Sequence, residues 1–189
     1  MKVGLFFGSF NPIHTGHCII ASHIVSNTPI DQVWIVVSPQ NPFKSSSTLL
    51  NEYDRLHLVH LAVSDEKAIK PSDVEFHLPR PSYTIDTLLT LDAKYPMHRF
   101  TVIMGSDGFE NFPKWKNASM ILKHYALIIY RRPGFPIPKD LPENVQIVDA
   151  PLLEISATHI RETVRQQKSI RYLVPDAVKS EIETNGYYQ

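Results

Sequence analysis

Short apolar runs recur along the chain, and segments with helical spacing of apolar residues separate most of them. The runs predict buried strands at Lys2–Phe7, Gln32–Ser38, Ala68–Phe76, Arg99–Met104, Tyr125–Arg131 and Val145–Asp149. The helical spacing predicts a first helix that begins near Gly16 and four later helices, at Glu52–Ser64, Thr84–Tyr95, Thr158–Gln167 and Asp176–Thr184. Because strands that alternate with helices form parallel sheets with right-handed crossovers, the pattern predicts an α/β, doubly wound, Rossmann-like sheet with helices on both faces.

Four loops directly follow predicted strands and contain glycine, proline or charged residues: Gly8, Pro39–Lys44, Gly105–Asp107 and Arg131–Gly134. In a doubly wound sheet, ligands bind beyond the carboxyl ends of the strands, where the strand order switches. We therefore expect these loops to converge on one crevice.

The composition is that of an ordinary globular protein, with 43% hydrophobic and 20% charged residues. A length of 189 residues fits one domain, and we expect residues 1–189 to form it. Lys plus Arg equals Asp plus Glu at 19 each, so no net field would attract a polymeric nucleic acid. Nucleic acid is therefore not expected as a partner, whereas homo-oligomerisation stays open.

Cys18 is the single cysteine, which excludes an internal disulfide and a multi-cysteine zinc cluster and fits a reducing compartment. No apolar stretch reaches the roughly 20 residues that cross a bilayer, so a membrane partner is not expected. The predicted strand at Lys2 leaves no room for a signal peptide before it. Together these features predict a cytoplasmic protein.

The first predicted strand runs into the segment Gly-Ser-Phe-Asn-Pro-Ile-His-Thr-Gly-His, residues 8–17. Gly8 and Pro12 end the strand and a helix begins near Gly16, so His14 and His17 are expected close to a helix N-terminus. Backbone N–H groups and the helix dipole favour an anion there, and the imidazoles add donors. A metal pair is the alternative, but no third ligand lies nearby in the sequence, so phosphate is favoured.

The segment His14–His17 resembles the HxGH signature of a nucleotidyltransferase superfamily, and Ile155–Arg161 resembles its second signature. Four further segments narrow the resemblance to bacterial nicotinate-mononucleotide adenylyltransferases: Pro81–Leu88, Gly105–Asp107, Phe112–Trp115 and Arg131–Gly134. The resemblance covers nearly the whole chain and implies a Rossmann-like nucleotidyltransferase fold. It also implies transfer of AMP from ATP, with Mg²⁺ bound to the ATP, to nicotinate mononucleotide, a step of NAD biosynthesis that yields nicotinate adenine dinucleotide and pyrophosphate.

The resemblance implies roles for individual residues. His14, His17 and Arg161 are expected to be catalytic, through contacts that stabilise charge on the triphosphate. The ATP site would also contain Gly8, Ser9, Phe10, Gly105, Asp107, Ser156 and Thr158, with Asp107 against ribose hydroxyls. The mononucleotide site would contain Lys44 at its phosphate and Tyr83, Thr84 and Trp115 at its pyridine end. No residue is assigned to a resident metal, because the chain shows no dedicated carboxylate cage.

Residue chemistry supports several of these roles independently. Ser156 is a favourable N-cap, so the start of the next helix can present Thr158 and Arg161 to the same phosphates. Trp115 stands in a polar loop, which suits stacking on a flat ring. Residues 81–84 open a predicted helix, whose free N–H groups are a natural seat for a carboxylate.

The first motif departs from the usual family pattern at two positions, with Ser9 in place of a second glycine and Asn11 in place of aspartate. Both residues keep a polar turn. The rival functions are an adenylyltransferase for nicotinamide mononucleotide or phosphopantetheine, and a non-catalytic nucleotide sensor. The pyridine-end residues oppose pantetheine, and the two histidines with Arg161 oppose a sensor. A class I aminoacyl-tRNA synthetase is excluded by length and by the missing tRNA-binding domain.

Overall fold

The computed structural model describes residues 1–40 and 49–189. Within them lies one parallel sheet of β1 (Lys2–Gly8), β2 (Gln32–Val37), β3 (Ile69–Ser72), β4 (Arg99–Gly105), β5 (Ala126–Tyr130) and β6 (Val145–Val148). The strand order is β3-β2-β1-β4-β5-β6. The chain builds outward from β1 to β3 and then returns to the other side of β1, so the β1–β4 pair is the switch point of the sheet.

Between the strands lie the helices α1 (Thr15–Asn27), α2 (Glu52–Ala62), α3 (Thr84–Lys94), α4 (Ser106–Glu110) and α5 (Ala118–His124). After β6 come α6 (Ala157–Arg165) and α7 (Asp176–Asn185). Two 3-10 helices lie at Val74–His77 and Phe112–Lys114. All five predicted helices are present, and their ends differ from the predicted ones by at most two residues. The short helices α4 and α5 were not predicted.

Successive strand side chains point to opposite faces of the sheet and divide the core in two. On one face, Ile35 and Ile103 share a buried cluster with Ile24 of α1, Leu58 of α2 and Ile160 of α6. On the other face, Leu5 and Val102 pack with Leu88 of α3 and Ile121 of α5. The predicted fold class, a doubly wound α/β sheet with helices on both faces, is confirmed.

The predicted strand Ala68–Phe76 is wrong in its second half. β3 ends at Ser72, and the chain turns into the 3-10 helix Val74–His77. The alternation of Val74 and Phe76 imitates a strand, but this edge strand pairs only with β2, and Pro71 has no N–H for the ladder. The early end of β3 turns Glu75 into the interior, where it is 2% exposed.

Candidate active site

A crevice lies beyond the carboxyl ends of β1 and β4, at the switch in strand order. Its larger lobe, about 770 Å³, is lined by the β1–α1 loop and the start of α6. A smaller lobe of about 280 Å³ is lined by the start of α3 and the loop around Trp115. Gly8, Ser9, Gln40, Asp107 and Tyr130 line both lobes, which therefore adjoin. The predicted convergence of strand-end loops is confirmed for the described residues.

His14 and His17 stack on each other in the larger lobe. His14 is the N-cap of α1 and His17 lies in its first turn, with ring centroids 3.6 Å apart and ring planes 26° apart. The His14 backbone N–H donates to His17 Nδ1 at 3.3 Å. Neutral His17 therefore carries its proton on Nε2, which makes Nε2 a hydrogen-bond donor.

The start of α1 is less open to an anion than its sequence predicts. The Thr15 N–H donates to the Leu173 carbonyl at 3.0 Å, and the His14 N–H is bonded to His17. Two of the backbone donors at this helix end thus have protein partners. At this helix start, a phosphate can be bound by the imidazoles but not by these two amides.

Two glycines allow the histidine pair to pack. A Cβ at Gly16 would lie 3.1 Å from His14 Nδ1, so glycine leaves room for that ring to fold against the helix start. A Cβ at Gly8 would lie 2.9 Å from the ring of Phe10. The Phe10 side chain is 3% exposed and meets the His17 ring edge-on at 5.0 Å. Phe10, predicted in the ATP site, lines the larger lobe and supports His17 through this ring contact.

His14 is an uncharged group at neutral pH. Burial, with a smaller contribution from the positive charge of Arg132, lowers the pKa of His14 to about 4. The residue is 7% exposed, and its Nδ1 has no hydrogen-bond partner among the described residues. His14 can therefore donate one N–H to a phosphate but does not add a positive charge.

The depressed pKa makes folding stability sensitive to acid at His14. In the unfolded chain this side chain takes up a proton near pH 6.5, whereas in the folded protein it does so only near pH 4. Its contribution to the free energy of unfolding is therefore complete above about pH 6.5 and is lost as the pH falls towards 4. At about pH 4.5 the loss is roughly 2–3 kcal/mol. Between about pH 7.5 and pH 4.5, the free energy of unfolding measured in urea should fall by roughly 2–3 kcal/mol less in His14→Gln than in the wild type. Equal losses in both proteins would contradict this effect, because all other groups titrate in both.

Arg161 reaches the larger lobe from α6. Ser156 caps this helix by accepting a hydrogen bond from the His159 N–H at 3.1 Å, so the predicted N-cap is confirmed. Arg161 donates through Nη1 to the Asn11 carbonyl at 2.8 Å and through Nη2 to Thr158 Oγ1 at 3.2 Å. Its buried Nε has no partner among the described residues. The guanidinium is thus fixed beside the β1–α1 loop, in the same lobe as the histidines.

Asp107 forms an ion pair that the sequence did not reveal. Arg132 Nη1 donates to Asp107 Oδ2 at 3.0 Å, and the Arg132 backbone N–H donates to Ser106 Oγ at 2.9 Å. A Cβ at Gly105 would collide with the Asp107 carboxylate and lie 2.9 Å from Arg132 Cδ, so this pair requires glycine. Gly105 is the N-cap of α4, and Asp107 lies in its first turn. Nothing in the sequence distinguishes Arg132 from Arg131 as the partner.

The residues predicted at the pyridine end come together in the smaller lobe. Tyr83 and Thr84 form the start of α3, where no side chain caps the helix, and the first intrahelical bond runs from the Asp86 N–H to the Tyr83 carbonyl at 3.0 Å. Trp115 is half-buried and packs on Phe112 with ring centroids 5.4 Å apart. The smaller lobe is therefore lined both by the Trp115 ring and by the start of a helix, whose first N–H groups have no acceptor within the helix.

Lys116 adds a positive charge to this lobe. Its Nζ lies 4.8 Å from the centre of the Tyr83 ring and 2.8 Å from Asp86 Oδ2. Sequence reasoning missed it, because a lysine in a polar loop is normally a solvated charge. Lys44, predicted at the mononucleotide phosphate, lies outside the described residues.

Arg55 of α2 ties together the loops that border the crevice. Its side chain is fully buried, and it donates to the carbonyls of Ser9 at 2.5 Å, Ser38 at 2.8 Å, Leu50 at 2.8 Å and Pro39 at 3.2 Å. The sequence did not single out Arg55, because an arginine in a helix normally faces solvent.

Neither a metal cluster nor a membrane helix is present in the part of the chain that the structure describes. No three His, Cys, Asp or Glu side chains there are grouped to hold a metal ion. None of its helices combines the length and apolar character that crossing a bilayer requires.

Comparison with known proteins identifies the family. The model of the cytidylyltransferase-like family matches residues 5–163. A Cytophaga hutchinsonii protein named probable nicotinate-nucleotide adenylyltransferase is 52% identical, over 100% of this chain and 98% of its own. A protein of the same name from Flavobacterium psychrophilum is 45% identical over the full length of both.

Solved structures share the fold. The Plasmodium falciparum nicotinic acid mononucleotide adenylyltransferase complexed with NaAD superposes with a TM-score of 0.84, at 21% identity, over 99% of this chain and 97% of its own. The same enzyme complexed with APC gives a TM-score of 0.83, at 20% identity, over 99% and 96%. By its family match and its full-length relatives, the chain belongs to the cytidylyltransferase-like family and, within it, to the nicotinate-nucleotide adenylyltransferases.

Proposed function

We propose that this protein transfers the AMP moiety of ATP to nicotinate mononucleotide, forming nicotinate adenine dinucleotide and pyrophosphate. The observation that carries the proposal is the pair of adjoining lobes at the sheet switch point. The larger presents His14, His17 and Arg161, which suit a triphosphate, and the smaller presents Trp115 and the start of α3, which suit a pyridine with a carboxylate. The shared name of the full-length relatives supports the same activity.

The reaction requires no covalent bond between the protein and its substrates. The 5′-phosphate of the mononucleotide is an anion at neutral pH, and one of its oxygens attacks the α-phosphorus of Mg-ATP. The bond from that phosphorus to the oxygen bridging to the β-phosphate breaks, and pyrophosphate leaves with the electron pair. No enzyme nucleophile is required, so the rate depends on positioning and on neutralisation of charge.

The side chains of the larger lobe supply that neutralisation. Arg161 contributes a fixed positive charge, and His17 Nε2 and neutral His14 contribute N–H donors to the phosphate oxygens. We further propose that Asp107 binds a ribose hydroxyl and that Lys44 binds the mononucleotide phosphate. Mg²⁺ enters as part of the substrate, on the triphosphate oxygens, and supplies further charge neutralisation.

Pyrophosphate release tests the proposal directly. The purified protein is incubated with Mg-ATP and, in separate reactions, with nicotinate mononucleotide, nicotinamide mononucleotide or phosphopantetheine. We expect the fastest release with nicotinate mononucleotide. Absence of release with all three would support the nucleotide sensor instead, and faster release with another acceptor would overturn the substrate.

Trp115→Ala should raise the KM for the mononucleotide roughly tenfold, because stacking on the pyridine and the buried area are both lost. The KM for Mg-ATP should change little, since the larger lobe does not include Trp115. Trp115→Phe retains a ring and serves as the matched variant, with a smaller rise. Equal rises for both substrates would show that Trp115 acts only as packing on Phe112.

A further inference from the structure

Glu75 is a buried carboxylate at the border of the smaller lobe. It lies in the 3-10 helix Val74–His77, between β3 and α3, and lines the lobe together with Tyr83 and Thr84. It takes part in none of the ion pairs among the described residues. Because a buried carboxylate without a cation is costly unless hydrogen bonds satisfy it, its hydrogen-bond partners indicate its role.

Two hydroxyls that bracket the start of α3 bind the two oxygens of this carboxylate. Ser82 Oγ donates to Oε2 at 2.8 Å, and Thr87 Oγ1 donates to Oε1 at 3.0 Å. Both residues are buried. Burial raises the pKa of Glu75, and hydrogen bonds from Ser82, Ser38 and Thr87 oppose that rise. The start of α3, from its N-cap Tyr83 to Asp86, therefore lies between two residues that are both bonded to Glu75.

We propose that Glu75 is a positioning residue that holds the first turn of α3 in register with the pyridine substituent and so sets the preference of the lobe for an acid over an amide. The proposal rests on the function proposed above, because it concerns the second substrate of that reaction. The Tyr83 and Thr84 N–H groups precede the first intrahelical bond of α3, and both residues line the smaller lobe, so these groups are the donors offered to a ligand. Their direction depends on the turn that Glu75 clamps.

Both oxygens of a carboxylate accept hydrogen bonds, whereas an amide can accept at only one atom. Two N–H groups aimed together therefore favour the acid. If the turn loosens, the acid loses its second hydrogen bond and the amide loses little. Weakening of the clamp should consequently reduce discrimination more than it reduces turnover.

Thr87→Val removes one hydroxyl of the clamp with little change of shape. We expect the ratio of kcat/KM for nicotinate mononucleotide to that for nicotinamide mononucleotide to fall roughly three- to tenfold, through a higher KM for the acid. The KM for Mg-ATP should stay unchanged. Thr90→Val is the matched control on the same helix, since the Thr90 hydroxyl donates to the Asp86 carbonyl at 2.8 Å rather than to Glu75.

Glu75→Gln separates positioning from charge. If Glu75 acted through its negative charge, it would repel the nicotinate carboxylate, and the neutral glutamine would increase the acid preference. If Glu75 acts as a clamp, glutamine keeps one acceptor oxygen and has an N–H donor in place of the other, so one hydroxyl must reverse its hydrogen bond. The preference then falls, by less than in Thr87→Val. The two explanations thus predict opposite signs, and we expect the fall.

The outcomes distinguish a failure of the proposed function from a failure of the role proposed for Glu75. A wild-type protein without activity on nicotinate mononucleotide would overturn the proposed function itself. An active wild type, with Thr87→Val and Glu75→Gln as selective as Thr90→Val, would overturn the role of Glu75 alone. Equal rises in both mononucleotide KM values and in the Mg-ATP KM would also overturn it, because they indicate general packing. If Glu75→Gln does not fold, Thr87→Val decides.

Discussion

Replacement of His17 by alanine is expected to lower kcat roughly 10²- to 10³-fold, the usual loss when one preorganised donor is removed from a site of developing charge. His17 is suited to this role because its Nδ1 accepts from the His14 backbone, which makes Nε2 the donor. Its ring is held by Phe10 and by the stacked ring of His14. The KM values should change less than kcat, since the donor is needed most in the transition state.

His23→Ala is the matched control for this experiment. His23 lies on the same helix, and its backbone carbonyl and ring are both contacted by the Asn27 amide rather than by groups of the crevice. Steady-state kinetics of both variants, with melting temperatures to verify folding, separates loss of a donor from loss of structure. A near-normal kcat for His17→Ala would show that His17 is not a catalytic residue.

The second large effect expected is discrimination between mononucleotides, with kcat/KM at least tenfold and up to a hundredfold higher for nicotinate than for nicotinamide. A misplaced amide leaves a donor of the α3 start without an acceptor, which costs roughly 1–3 kcal/mol. The helix dipole adds attraction for a carboxylate at this end. The negative charge of Asp86 in the same turn would oppose it, but Lys116 pairs with Asp86 at 2.8 Å.

The measurement compares kcat/KM for the two mononucleotides at saturating Mg-ATP. The KM for Mg-ATP should be the same with either acceptor, which provides the internal control because the pyridine is expected in the smaller lobe and the triphosphate in the larger one. Equal kcat/KM values, or a higher value for nicotinamide mononucleotide, would show that the start of α3 does not bind the carboxylate.

The layout of the sheet was predictable because β1, β2, β4 and β5 are mostly apolar runs bounded by turn residues. The same reasoning failed where local pattern and tertiary position disagree. Val74 and Phe76 alternate like strand residues, yet the edge position of β3 and Pro71 end the strand first. Helices α4 and α5 span only five and seven residues, too few for a helical period to be read.

The position of the crevice was also predictable, since loops at the carboxyl ends of parallel strands must meet. Contacts between side chains far apart in sequence were not. The Asp107–Arg132 pair joins α4 to the loop after β5, and Glu75 meets Thr87 across the start of α3. Such pairs depend on how the loops finally approach one another, and the periodicity of a single segment carries no information about that.

Arg55 has a consequence for how the chain tolerates substitution. Its four acceptors among residues 1–40 and 49–189 are backbone carbonyls, which every amino acid possesses. The side chains at Ser9, Ser38, Pro39 and Leu50 can therefore vary without removing an acceptor, whereas the guanidinium that joins them has no substitute with the same five donors. The backbone at position 9 can thus stay anchored to Arg55 whichever side chain it carries.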